Sequence, residues 1–218
     1  MPDLSFTESE KVKIKKTTEL YLLFKDLLIE AEELDDERKT QPQILLEVRN
    51  ALEHLMRVLI MKFAPANEQS DGYFKQALDK FHGHVYRAGY DVLDWQAIVL
   101  RGKIISELRR FSHEAIEKVL PDYYPTIRPG IEQISIDIAS IRAKKDVDGP
   151  ADADFENFKK YADKVRALQS AYRTKILPSI SPITDLHKRM RKDEIWKTYL
   201  PWILSGVLGV LTLVFGLT

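Results

Sequence analysis

Two residues with the means to do chemistry, Arg49 and His54, lie in the run Arg49-Asn50-Ala51-Leu52-Glu53-His54. A histidine gives or takes a proton near neutral pH, and a guanidinium holds an anion through several N–H groups in a fixed plane. Together they could serve acid–base work on an anionic substrate. A plainer reading stands beside it: Arg49 pairs with Glu53 one turn on, and His54 packs as a partly buried histidine. A second polar set, His82, His84, Arg87, Tyr90, Asp91 and Asp94, follows further along the chain, with Arg87 and Asp91 at the spacing of a simple helix-surface ion pair. Phe81, Tyr86 and Trp95 read as core. Lys11, Lys13, Lys15 and Lys16 read as a solvated basic face. His82 and His84 are too close along a helix to share a metal. No cysteine is present, which removes disulfides and thiolate metal sites. No glycine-rich phosphate loop is evident, so a nucleotide site would have to be built from scattered Lys and Arg side chains; no metal and no cofactor is expected.

The elements that must position these residues are helical. Thr7-Glu8-Ser9-Glu10 offers a capping box for a first helix running to about Leu34. Pro42 suits the first turn of a second helix, which ends before Pro65. In it Leu45, Val48, Leu52, Leu55, Leu59 and Phe63 repeat every three or four residues, so this face is predicted to pack. A long third stretch is predicted from Tyr73 to Leu120, with a bend at Gly83 or Gly89. Pro121, Pro125 and Pro129 interrupt it. Ile131, Ile134, Ile138 and Ile141 then follow a helical repeat; Ile134, Ile136 and Ile138 also alternate as a strand would, and helix is favoured. Gly149-Pro150 marks a loop, Phe155 to Leu177 another helix, and Pro178 to Pro182 a last break. The predicted fold is all-α: a helical bundle over residues 1–182, a basic juxtamembrane segment over 183–198, and a transmembrane helix over 199–218. Lys+Arg and Asp+Glu are equal at 33 each, so there is no basic surplus of the kind that coats nucleic acid.

From Tyr199 to Thr218 no ionisable side chain occurs, and Trp196, Lys197, Tyr199 and Trp202 stand where residues anchor at a membrane interface. The basic residues just before the run place the preceding chain on the cytoplasmic side, giving a single-pass protein of the cell inner membrane. The alternative is a buried core helix. Ser205, Gly209, Thr212 and Gly216 form a stripe of small or weakly polar side chains along this helix. Such a stripe supports association of several copies, taken as a tetramer, or the wall of a narrow pore.

The Arg–His spacing in an all-α chain resembles the signature of HEPN domains, over roughly residues 7–145. That resemblance implies a metal-independent ribonuclease, with His54 moving a proton at an RNA oxygen and Arg49 steadying the phosphate, two motifs meeting across a dimer. A HEPN-like bundle joined to one terminal membrane helix is similar to membrane effectors of prokaryotic antiphage systems. The closest analogy is the Hailong type, in which a nucleotidyltransferase product holds a membrane channel shut. The expected function is then an oligomeric, ligand-regulated, ion-conducting pore in the lipid bilayer. A nucleotidyltransferase partner, or its nucleotide or oligonucleotide product, would be the regulator. The first alternative is the membrane-tethered ribonuclease; the second is a tail-anchored scaffold whose bundle recruits a partner.

Overall fold

The computed structural model describes residues 6–36, 39–63, 71–143 and 151–216, the side chains at 71, 141–142, 151–154, 209 and 212–215 excepted. Every regular element among the described residues is helical. In chain order they are α1 (Glu8–Leu34), α2 (Pro42–Phe63), α3 (Asp71–Arg109), α4 (His113–Val119), a π-helical turn (Tyr123–Ile127), α5 (Arg128–Ala143), α6 (Ala151–Ala171), a second π-helical turn (Tyr172–Ile176) and α7 (Leu177–Phe215).

The first helix starts as its capping box requires. Thr7 Oγ1 accepts from Glu10 N at 3.3 Å, and Thr7 N donates to Glu10 Oε2 at 2.8 Å. The predicted helix from Tyr73 to Leu120 is instead two helices. Ser112 caps α4, its hydroxyl accepting from Ala115 N at 3.3 Å, so a new helix begins where an unbroken one was expected. Gly83 and Gly89 do not interrupt α3. At Gly89 the reason for glycine is close approach: a Cβ there would lie 2.7 Å from Phe158 Cε2 on α6. The break predicted at Pro178 to Pro182 is also absent, and α7 runs through Pro182 and Pro201. A π-helical turn just precedes it, and Pro178 falls in the first turn of α7, where a missing N–H is tolerated.

The chain divides into two compact units, Met1–Lys103 with Ile131–Gln169, and Ile104–Gly130 with Ser170–Thr218. The first unit is closed by an aromatic core. Tyr90, Phe158 and Tyr161 are buried, with Tyr90 and Phe158 edge to face at 5.3 Å between centroids. Side chains of this size contribute about 1.5–3 kcal/mol each on burial. One end of this unit is gathered by Lys62, whose ammonium lies over the Phe6 and Phe74 rings and donates to Glu10 Oε2 at 3.0 Å. In the second unit the start of α7 is buried at Ile183, and His187 meets the Phe111 ring edge-on at 5.8 Å. From Arg191 onward every described side chain of α7 is exposed.

The transmembrane expectation is corrected by this helix. Among the described residues no helix is long and apolar enough to cross a membrane. The described apolar run, Tyr199 to Leu211 with the Gly209 side chain outside it, spans about 20 Å at about 1.5 Å per residue, against roughly 30 Å for a bilayer's hydrocarbon core. The side chains of Thr212 to Phe215, and residues 217–218, lie outside the described residues. The single-pass placement in the inner membrane rested on that span and is withdrawn with it.

Candidate functional site

Helix α2 decides where the chemistry-bearing residues go. It buries Ile44, Glu47, Ala51 and Val58 and half-buries His54, so its inward face carries a carboxylate and an imidazole among small apolar groups. Arg49 is five residues from His54, about 140° away around a helix at 100° per residue. Its guanidinium is exposed and donates to Asn50 Oδ1 at 3.2 Å. The two residues of the motif therefore lie on different sides of α2.

What His54 meets is α3. Its ring stacks on His84, with centroids 5.2 Å apart and planes 13° from parallel. His84 Nδ1 lies 2.7 Å from Glu47 Oε2, and the same oxygen accepts from Arg87 Nε at 3.0 Å. Burial alone would raise the Glu47 pKa. The hydrogen bonds from His84 and Arg87, together with the Arg87 charge, outweigh that and hold it below the ordinary carboxylate value. An ionised Glu47 can only accept, so the His84 proton shared with it sits on Nδ1. Arg87 Nη2 lies 2.6 Å from that nitrogen, so Glu47 and Arg87 crowd the same edge of the His84 ring. His54 is different. Burial first, then His84 and the charges of Arg57 and Lys80, keep its pKa below the ordinary imidazole value, with Glu53 pulling the other way. Its Nδ1 is buried without a hydrogen-bond partner.

A further histidine on α3, His82, faces α1. Thr17 Oγ1 donates to Lys13 O at 2.8 Å, so it accepts from His82 Nδ1 at 2.9 Å, which sets the neutral tautomer. Burial, with Lys13 and Lys16 adding to it and Asp79 opposing, pushes the His82 pKa down to about 4. Among the described residues no group of three or more His, Asp or Glu side chains could hold a metal ion. This constellation is a satisfied polar seam between helices, with one imidazole nitrogen left over.

The outward side of α2 is the part that the periodicity misplaced. Leu45, Leu52 and Phe63, predicted to pack, are 55%, 53% and 57% exposed. With Met56 and Ile60 they fall within an arc of about 80°, roughly 150° around from the buried face, an arc that also holds the exposed Arg49. Beside this ridge lies a hollow of about 400 Å³ between α1 and α2. Thr18 and Tyr21 form one wall and Val48, Leu52 and Leu55 the other. The floor is buried Phe24 and Ala51 with Val85 and Ala88 of α3.

The residues expected at a pore or membrane interface belong to the exposed end of α7. Trp196, Tyr199 and Trp202 are 61%, 58% and 76% exposed, and Lys197 is exposed beside them. Ser205 is exposed, and the side chains of Gly209 and Thr212 lie outside the described residues. Gly216 ends the helix with φ of 61°, in the left-handed region that glycine enters freely. Its type is thus explained by the helix end.

The chain matches no family model, no curated protein and no solved structure. The resemblance to HEPN domains, and to membrane effectors of antiphage systems, finds no support in these comparisons. The absence of a spanning helix among the described residues removes the combination on which it rested.

Proposed function

We propose that this protein is a self-associating scaffold whose copies pair through the outward face of α2. The observation that carries this is the ridge of Leu45, Leu52, Met56, Ile60 and Phe63, exposed beside an apolar groove on the same helix. Ridge and groove side by side make a face that is complementary to itself under a two-fold rotation, the ridge of one copy entering the groove of the other. With Tyr21 the ridge offers about 100 Å² per large side chain, or about 1,200 Å² over two copies, at the lower edge of what specific pairs bury. An exposed apolar ridge of this size, interrupted at the same helical phase only by the exposed Arg49, calls for a cover.

The test is the mass of the full chain in sedimentation equilibrium, with and without Leu52→Glu and Met56→Glu together. The unaltered chain is expected as a dimer in the micromolar range. The double variant is expected as a monomer with an unchanged thermal midpoint, because both positions are solvent-exposed within the chain. A monomer at about 100 μM for the unaltered chain would falsify the proposal.

A further inference from the structure

The groove that receives the ridge is also shaped for a small molecule. Its floor sets Phe24 and Val85 beside two short side chains, Ala51 and Ala88. The hollow is about 400 Å³, within the range of ligand sites. An apolar cavity of about 150 Å³ takes a benzene ring, which scales to roughly fifteen heavy atoms in this volume. The polar groups at the rim narrow the chemistry. The Thr18 hydroxyl donates to Ile14 O at 2.9 Å, so what it offers the groove is an oxygen lone pair. Tyr21, on the same wall, carries a hydroxyl that both donates and accepts. An alcohol satisfies both, giving its proton to one and accepting from the other. An ionised carboxylate would place an acceptor against an acceptor at Thr18 and would lose its hydration over an apolar floor.

We propose that this groove binds an apolar alcohol of about fifteen heavy atoms, and that the bound molecule displaces the second copy of the chain. The displacement rests on the pairing proposed above; the binding site does not. Leu52 is the hinge of the competition, since it belongs both to the ridge and to the groove wall. A filled groove leaves the incoming ridge without its recess. Because a dimer would present two such grooves, alcohol at ten times its own Kd raises the apparent dimer Kd about 100-fold.

Farnesol, an alcohol of that size, is the probe, titrated into the full chain by calorimetry and repeated in sedimentation equilibrium. One molecule per chain is expected, together with dissociation of the dimer. Thr18→Trp, at an exposed rim position, fills the groove; it is expected to weaken binding at least tenfold with an unchanged thermal midpoint. Farnesol binding that persists in Thr18→Trp, or no binding at all, overturns the site. Saturating, Thr18-dependent binding to a dimer that stays intact overturns the displacement. A chain that is monomeric without farnesol sinks the pairing and the displacement, and leaves the site to be decided by the titration alone.

Discussion

On its inward side α2 carries Glu47 and His54 against α3; on its outward side it carries Leu45, Leu52, Met56, Ile60 and Phe63 toward solvent. Most amphipathic helices are arranged the other way round. The inward groups are tolerated because Glu47 is paired with His84 and Arg87, since a buried charge without partners costs several kcal/mol. The outward groups have no such internal answer. A helix whose buried carboxylate is paired inside the fold and whose exposed leucines are not covered points to a surface meant for something outside it.

The largest effect is expected from breaking the inward side. Glu47→Ala leaves His84 and Arg87 against each other without their shared carboxylate, and should lower stability by about 3 kcal/mol in chemical denaturation. A loss under about 1 kcal/mol would mean the seam is as solvated as the surface. Acid should then separate α1 from α3 at His82. The unfolded chain takes up a proton near the ordinary imidazole pKa of 6.5, whereas the folded chain holds His82 neutral down to about 4. Unfolding therefore binds protons in that window. The stability contribution is full above about pH 6.5 and falls by roughly 3 kcal/mol as the pH drops toward 4. His82→Phe should flatten that part of a stability-versus-pH curve; an unchanged slope would show that His82 is not its source. The smallest effect tests the leftover nitrogen. His54→Leu removes a buried Nδ1 that has no partner and should raise stability by about 1 kcal/mol. A loss instead would show that His54 makes a contact worth keeping, and would sharpen the contrast between the two faces.

How far the sequence reached follows from the range of each signal. Capping is local, so Thr7 and Glu10 located the start of α1. Pro42 likewise opens α2, and the isoleucine repeat correctly favoured a helix over a strand at α5. Proline signals near residue 180 misled: Pro178 lies in the first turn of α7, where its missing N–H is tolerated, and the helix runs on through Pro182. Ser112 was a cap in plain view, passed over because helix-forming residues stand on both sides of it. The site was harder. Arg49 and His54 were adjacent on paper, but helical phase parts them. Glu47, His84 and Arg87 meet across 37 to 40 residues of chain, and no spacing rule reaches that far. Of the leucine repeat of α2, Val48, Leu55 and Leu59 are partly buried while Leu45, Leu52 and Phe63 face solvent, because periodicity gives the direction of a stripe and not how much of it is covered.

Lys62 is enclosed at one end of the first unit. Its ammonium is sandwiched by the Phe6 and Phe74 rings and held by Glu10, so a single amine ties together the start of α1, the end of α2 and the start of α3. An amine so enclosed is a poor nucleophile. Acylating reagents that label the exposed lysines freely should reach Lys62 last, and its late labelling would mark the moment when the three helix ends come apart.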